Sequence, residues 1–509
     1  SVVGQCRMCL VQVDGHPKLQ AGCSMTVQKD GMDIRTDVPE VEEAQRAMME
    51  LLLINHPLDC SICDQAGECG LQDYAFKHGQ AFSRFRYEEK RTYPGRERIP
   101  LGPSVLLNMN RCIQCTRCVR FTREISGTGS LGFFNRGART EIGTFPGQEL
   151  DDELAGNVVD ICPVGALTST RFRFAERVWN LDKKASLCTG CEVGCNVTLE
   201  HRGGEIRRYK PRFNPEVNDY WMCDFGRASH ERYRLLPRLG SPRLREEGPE
   251  DARTVPVGWG RALDAAHRAL TSRGADGAIA FLGSAGLSTE EAYLLARIAD
   301  RLGTPHRAVH VDRGPERTIP TAKGGISGAE AGPNRRGAEL AGLASREGGF
   351  GARDLLEGDA AGKCAVLVVA DSDLGAAAHD PETVRRLREA GTLIVFGWAD
   401  TPLAEAADVA LPLATHAETE GTFVNVEHRL QRFDRAFPAP GQARQGVRVF
   451  ADLLSRFDDA WSDEITAAEV FDRLAEELAP FAGLDFRHLP ADGVQLEPAT
   501  TAGRPDPES

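Results

Sequence analysis

At 509 residues, 41% of them hydrophobic, the chain can bury several cores, and three or four domains are expected. A formal charge of −13 argues against a nucleic-acid partner, which would favour a basic surface. No run approaches the roughly eighteen consecutive apolar residues of a membrane span. Cysteine is the informative count: of fifteen, all but Cys364 lie between Cys6 and Cys223. A secreted disulfide framework belongs to short domains and would not repeat C-x2-C so often. Paired thiols two residues apart suit metal–sulfur chemistry in a reducing, cytosolic setting.

In chain order, the first set is Cys6, Cys9 and Cys23, spaced C-x2-C-x13-C, with Gly4 where a tight loop needs it. Plant-type [2Fe–2S] ferredoxins place a further cysteine upstream of such a pair. That residue would precede Ser1. The chain opens SVVGQCRMCL without an initiator Met, so a missing N-terminal part that carries the fourth ligand, and any targeting segment, is expected. The second set is "HPLDCSICDQAGECG", with His56, Cys60, Cys63 and Cys69. Alone, it could be a zinc knot of three cysteines and one histidine. Iron–sulfur spacings on both sides favour a [4Fe–4S] cluster with His56 as the fourth ligand. A neutral imidazole in place of a thiolate removes one negative charge and raises the reduction potential.

The third set has the clearest pattern. Cys112, Cys115 and Cys118 form the C-x2-C-x2-C run of bacterial ferredoxins, where a further Cys-Pro would follow four residues on. Thr122 stands there, and the Cys-Pro pair is Cys162-Pro163, so one [4Fe–4S] cluster rather than two is expected. Arg111, Arg117, Arg120 and Arg123 surround the run, either to stabilise a reduced cluster or as a solvated helix face. "GTGSLG" (127–132) satisfies G-x-G-x-x-G but follows no clear strand, so it is not read as a dinucleotide site. The fourth set, Cys188, Cys191, Cys195 and Cys223, is spaced C-x2-C-x3-C-x27-C. Four thiolates suit zinc or iron–sulfur equally by type; the spacing resembles the cubane segment of molybdopterin oxidoreductases.

Beyond about residue 240, short apolar runs (GAIAFLG, RAVHV, CAVLVVA, TLIVFG) alternate with amphipathic segments such as STEEAYLLARIADRL, where Ser288 and Glu291 form a capping box. This is the pattern of a doubly wound α/β domain with buried parallel strands. Cys364 reads as a small buried apolar residue just before a strand. The final PATTAGRPDPES reads as a loose tail.

The order of the four sets resembles the large iron–sulfur subunit (the G subunit in bacteria) of respiratory NADH:quinone oxidoreductase, complex I. The resemblance implies a [2Fe–2S] centre at Cys6, Cys9 and Cys23, and [4Fe–4S] centres at the His56, Cys112 and Cys188 sets, the last off the main electron path. It implies an electron relay from NADH and FMN on a neighbouring subunit toward quinone, on the cytoplasmic face of the bacterial inner membrane. Contact with that membrane would come only through the other peripheral-arm subunits, which are the expected partners. No catalytic acid or base is nominated; the oxidoreductase and translocase activity belongs to the assembly. The expected divisions are 1–35 [2Fe–2S], 36–95 one-His, three-Cys, 96–180 ferredoxin-like, 181–240 molybdopterin-oxidoreductase-type [4Fe–4S], 241–495 α/β without its cofactor, and 496–509 tail.

A molybdenum formate dehydrogenase is the strongest rival. Such enzymes place Lys two residues after the last cubane cysteine, where this chain has Phe225, and need a metal-ligating Cys for which only Cys364 remains. An iron-only hydrogenase would need several cysteines after Cys223. A zinc-bound interaction protein is the third rival. Glu427-His428-Arg429 departs from the family's usual Glu-Gly-Arg at one position.

Overall fold

The computed structural model describes residues 4–246, 253–272, 277–370, 374–457 and 461–497. It divides the chain into two units, Ser1–Leu181 and Asp182–Ser509.

The first unit is built from short elements held by local turns. Leu10–Val13 pairs antiparallel with Gln20–Ala21 and Ile34–Arg35, and the helix Pro39–Leu53 follows, with Pro39 at its first turn. Val105–Leu107 pairs with Ile99–Pro100 and Leu167–Ser169, which brings the two ends of the third cysteine set to one small sheet. The helix Arg117–Glu124 begins inside that set and runs out to Gly127–Gly132. That glycine segment leads from a helix into the strand Leu131–Phe134, the reverse of a dinucleotide turn.

The second unit opens with the antiparallel sheet Asp182–Leu187, Asn196–Arg202 and Glu205–Pro211. A seven-stranded sheet dominates the rest. Its strands are β1 (Arg243–Glu246), β2 (Arg253–Pro256), β3 (Ala278–Ser284), β4 (Arg307–His310), β5 (Cys364–Ala370), β6 (Thr392–Gly397) and β7 (Val409–Pro412), in the spatial order β2-β1-β7-β6-β5-β3-β4. The strands β3 to β7 are parallel, and β1 and β2 form an antiparallel hairpin on the β7 edge. Side chains alternate between two cores: Val366, Val368, Ile394 and Phe396 face one, and Leu367, Val369, Leu393 and Val395 the other. Burial on both faces is why these strands read as unbroken apolar runs. The expected capping box is present: Ser288 Oγ accepts from Glu291 N at 3.1 Å and Glu291 Oε2 from Ser288 N at 2.8 Å, starting the helix Thr289–Arg301.

Cys364 is the first residue of β5 rather than a residue preceding it. His428 lies in the hairpin turn after Gly421–Val424 with φ +58°, the left-handed region. That is where the resemblance expects glycine, and a side chain costs about 1–2 kcal/mol there. Of the expected tail, Leu496 is buried and donates its N–H to His428 O at 3.0 Å; residues 498–509 lie outside the described residues. Among the described residues, no helix is long and apolar enough to cross a membrane.

Candidate metal centres

Cys6, Cys9 and Cys23 come together on two loops flanking the first strand pair. Arg7, in the left-handed region, donates Nε to Gly4 O at 2.7 Å, which closes the first loop. Cys23 N points at Cys9 Sγ at 3.5 Å, and Gly22 N donates to Cys9 O at 2.9 Å. Burial raises the Cys9 pKa, and the neighbouring Cys23 and Cys6 add to the rise.

The helix Pro39–Leu53 delivers His56 just beyond its end, and the helix Gly70–His78 starts directly after Cys69. Cys63 and Cys69 are buried while Cys60 is exposed. Burial holds His56 neutral, with its pKa lowered to about 4; Asp59 opposes this, and Arg111 and Lys90 assist. Its Nδ1 is buried with no partner, so a lone pair or an N–H is left for a group the chain does not supply. Arg111 is 3% exposed and donates Nε and Nη2 to Asp59 Oδ2 at 2.9 and 2.6 Å. Its Nη1 is also buried without a partner. A buried neutral imidazole, a buried guanidinium with a spare donor and two buried thiols fit an anionic iron–sulfur group with one nitrogen ligand.

Cys112, Cys115, Cys118 and Cys162 line one small cavity together with Ile142 and Leu167. Gln114 and Thr116 take left-handed φ of +54° and +68°, winding the loop so that Gln114 N points at Cys112 Sγ at 3.4 Å. Burial pushes the Cys112 thiol up to about 12 and Cys162 to about 11. Amide donors to sulfur favour the thiolate that a metal requires. The expectation for the arginines divides. Arg111 serves the His56 set, Arg117 lies close enough to favour the Cys115 thiolate, and Arg120 pairs with Glu124 on an outer helix face at 2.8 Å.

Cys188, Cys191, Cys195 and Cys223 are each 3% exposed. Cys188 N donates to Cys195 O at 2.8 Å, closing the loop, and Gly194 turns it with φ +64°. Gly190 N and Gly226 N point at Cys188 Sγ and Cys223 Sγ at 3.4 and 3.3 Å. Burial raises all three loop thiols, Cys191 to about 11, and their neighbours in the set raise them further. Among the described residues, no three His, Cys, Asp or Glu side chains close on a single metal ion.

Cys364 stands apart. It is 3% exposed, packed in one core of the sheet, and donates Sγ to Ala360 O at 3.2 Å. Cys364→Ala is expected to leave iron content and every EPR signal unchanged, at a stability cost of about 1 kcal/mol; elemental analysis beside a denaturation curve checks both. A cavity of about 360 Å³ lies at the carboxyl ends of β3 to β5, lined by Ser284, His310, Asp312, Gly375, Arg232 and Phe225 among others. This is where doubly wound sheets take ligands. Lysine is not among its lining residues.

Sequence reasoning did not find the Asp59–Arg111 pair, which spans 52 positions. Nor did it find Gly165, whose added Cβ would stand 2.3 Å from Cys63 Sγ. Neither leaves a local signal.

Five family profiles match in chain order. They are a 2Fe-2S iron-sulfur cluster binding domain (1–39), the NADH-ubiquinone oxidoreductase-G iron-sulfur binding region (45–84) and the NADH-quinone oxidoreductase subunit 3 ferredoxin-like domain (102–168). The other two are the NADH-ubiquinone oxidoreductase NDSU1/NuoG-like 4Fe-4S domain (189–231) and molybdopterin oxidoreductase (354–456). The NADH-quinone oxidoreductase G subunit of Rickettsia conorii is 40% identical over 61% of this chain and 44% of its own length. The G subunit of Streptomyces coelicolor is 40% identical over 58% of this chain and 34% of its own. The mitochondrial 78 kDa subunit of NADH-ubiquinone oxidoreductase from Neurospora crassa is 41% identical over 62% and 41%. The chain therefore spans less than half the length of these relatives. A crystal structure of an NAD+-reducing [NiFe]-hydrogenase in the H2-reduced state aligns with 35% of this chain and 74% of its own at 30% identity, with a TM-score of 0.30. Ferredoxin-like and 2Fe-2S domains thus precede a molybdopterin-oxidoreductase domain, and over about three fifths of its length the chain is similar to NADH-quinone oxidoreductase G subunits.

Proposed function

We propose that the chain is the electron-transfer subunit of an NADH:quinone oxidoreductase peripheral arm, relaying electrons from NADH and FMN on a neighbouring subunit toward quinone. The observation that carries this reading is the segment Cys162–Gly165. Cys162 lines the cavity of the third set, Pro163 O accepts from Cys69 Sγ at 3.6 Å, and Gly165 packs on Cys63 Sγ. One four-residue turn therefore serves two thiol sets. Cys6 in turn lies near enough to influence Cys115 electrostatically, so the third set is neighbour to both the first and the second.

In this reading Cys6, Cys9 and Cys23 hold a [2Fe–2S] cluster with a further ligand, and the His56, Cys112 and Cys188 sets hold one [4Fe–4S] each. The expected divisions at 35, 95, 180, 240 and 495 stand as part of the same proposal, with 241–495 a scaffold without molybdopterin. Iron–sulfur clusters supply one-electron acceptors whose potentials the protein tunes over roughly −700 to +450 mV. The chain's own residues bury the thiols, offer amide hydrogens to sulfur and place Arg111 and Arg117 beside the sets. The complex, its quinone-side subunits and its station on the cytoplasmic face of the inner membrane belong to the proposal. The formate dehydrogenase alternative gains nothing from Phe225 or from the buried Cys364.

Low-temperature EPR of anaerobically purified, dithionite-reduced protein, with metal analysis, tests the reading. Iron far above zinc, without stoichiometric molybdenum, is expected; colourless protein or one molybdenum per chain overturns it. His56→Cys adds a thiolate charge and is expected to keep a cluster at a more negative midpoint. An unchanged midpoint in an EPR redox titration would remove His56 from the ligand set.

A further inference from the structure

The loop carrying Cys188, Cys191 and Cys195 is locked against the antiparallel hairpin Arg313–Ile319 and Ile326–Glu330. Glu192 N donates to Glu330 O at 3.1 Å, and Glu192 Oε1 accepts from Ala329 N and Glu330 N at 3.0 and 3.3 Å. Gly328 permits the close approach: a Cβ there would meet Glu192 Cγ at 2.7 Å.

From this hairpin Arg317 reaches inward. It is 7% exposed, its guanidinium carbon stands 3.9 Å from the centroid of the Phe225 ring, and its Nη1 donates to Pro315 O at 3.2 Å. Among the described residues, no carboxylate pairs with it. A guanidinium taken out of water needs an anion, and the face of Phe225 satisfies only part of that need. The Phe225 ring in turn lies against the cysteine loop, its Cε1 3.3 Å from where a Cβ at Gly190 would stand, so the guanidinium is one ring away from the Cys188–Cys191 turn. The one anionic group the surrounding thiols can provide is the cluster they would ligate.

We propose that Arg317 is the counter-cation of the group held by Cys188, Cys191, Cys195 and Cys223, raising its midpoint by favouring the more negative, reduced state. Phe225, two residues after Cys223, positions the guanidinium by stacking. This inference rests on the iron–sulfur reading of the fourth set.

The test is an EPR-monitored redox titration of the full chain, following the signal that disappears in Cys191→Ala. Arg317→Gln is expected to shift that midpoint to more negative potential, and Arg317→Lys to restore most of the shift. An unshifted midpoint in Arg317→Gln overturns the proposal. Should Arg317→Gln lose the signal, the double variant Arg317→Gln/Phe225→Lys decides: a signal regained supports the counter-cation, and a signal still absent overturns it. If the unaltered protein shows no Cys191-dependent signal, the iron–sulfur reading itself fails and takes this inference with it.

Discussion

Gly165→Ala is expected to empty the His56 set while sparing the fourth. The added methyl would stand 2.3 Å from Cys63 Sγ and 3.2 Å from Gln65 Cβ. Neither obstacle is the free end of a long side chain, so the cysteine must leave its place or the turn must open. Overpacking of this kind costs about 1–3 kcal/mol in an ordinary core; at a thiol required for coordination it also removes a ligand. One [4Fe–4S] signal and its share of the iron should vanish, with the third set disturbed through Cys162. Gly70→Ala is the control. It lies beside Cys69, yet its Cβ would meet only Pro163 O at an ordinary 3.8 Å. Full iron content and an unaltered signal in Gly165→Ala would contradict the shared-turn geometry.

Between pH 4.5 and 6.5, two buried groups are expected to tilt the stability of the second unit in opposite directions. Glu290 is fully buried, accepting from Thr422 N and Thr422 Oγ1 at 3.0 and 2.8 Å. Burial raises its pKa from 4.5 to about 7. A raised acid is ionised more readily when unfolded, so its contribution falls as pH rises from 4.5 to 7, by about 3 kcal/mol in all. His416 accepts from or donates to Tyr209 Oη at 3.0 Å, and burial lowers its pKa from 6.5 to about 3. A lowered base contributes fully above 6.5 and loses up to about 5 kcal/mol as pH falls toward 3. Within the overlap each slope is about 1.4 kcal/mol per unit and of opposite sign. Relative to the unaltered protein, Glu290→Gln should therefore tilt the profile toward stability that rises with pH in this window, and His416→Gln toward stability that falls. Urea unfolding followed by tryptophan fluorescence reads this directly, since Trp221, Trp259, Trp398 and Trp461 all lie in the second unit. Parallel profiles in all three proteins would refute the assignment.

The grouping of the thiols could be read from the sequence because each set is mainly local: two or three of its cysteines share one turn. The strands of the large sheet were legible for a related reason, since burial on both faces removes polar residues from short runs such as CAVLVVA. Their order was not. Alternation of strand and helix predicts a parallel sheet, whereas the placement of β4 beyond β3 and the β1–β2 hairpin on the far edge depend on packing. The short strands of the first unit, two to four residues each, carry too little periodicity to be seen. Arg111 was singled out only as one of four nearby arginines; its partner Asp59 sets it apart from Arg120, and that pairing crosses 52 residues. Arg317 had no signal at all, because nothing in RGPERTI marks which arginine turns inward. His428 shows the reverse case, a departure from pattern whose meaning emerges only with its backbone angle.

The depth of the sulfurs is graded. Cys60 is exposed, Cys6, Cys9 and Cys23 are half-buried, and all four sulfurs of the fourth set are sealed from solvent. Clusters held at these sets as proposed would therefore meet dioxygen, peroxide and chelators in sequence rather than all at once. Material handled in air would bleach from the N-terminal unit first, and the last brown tint to fade would come from the set around Cys188.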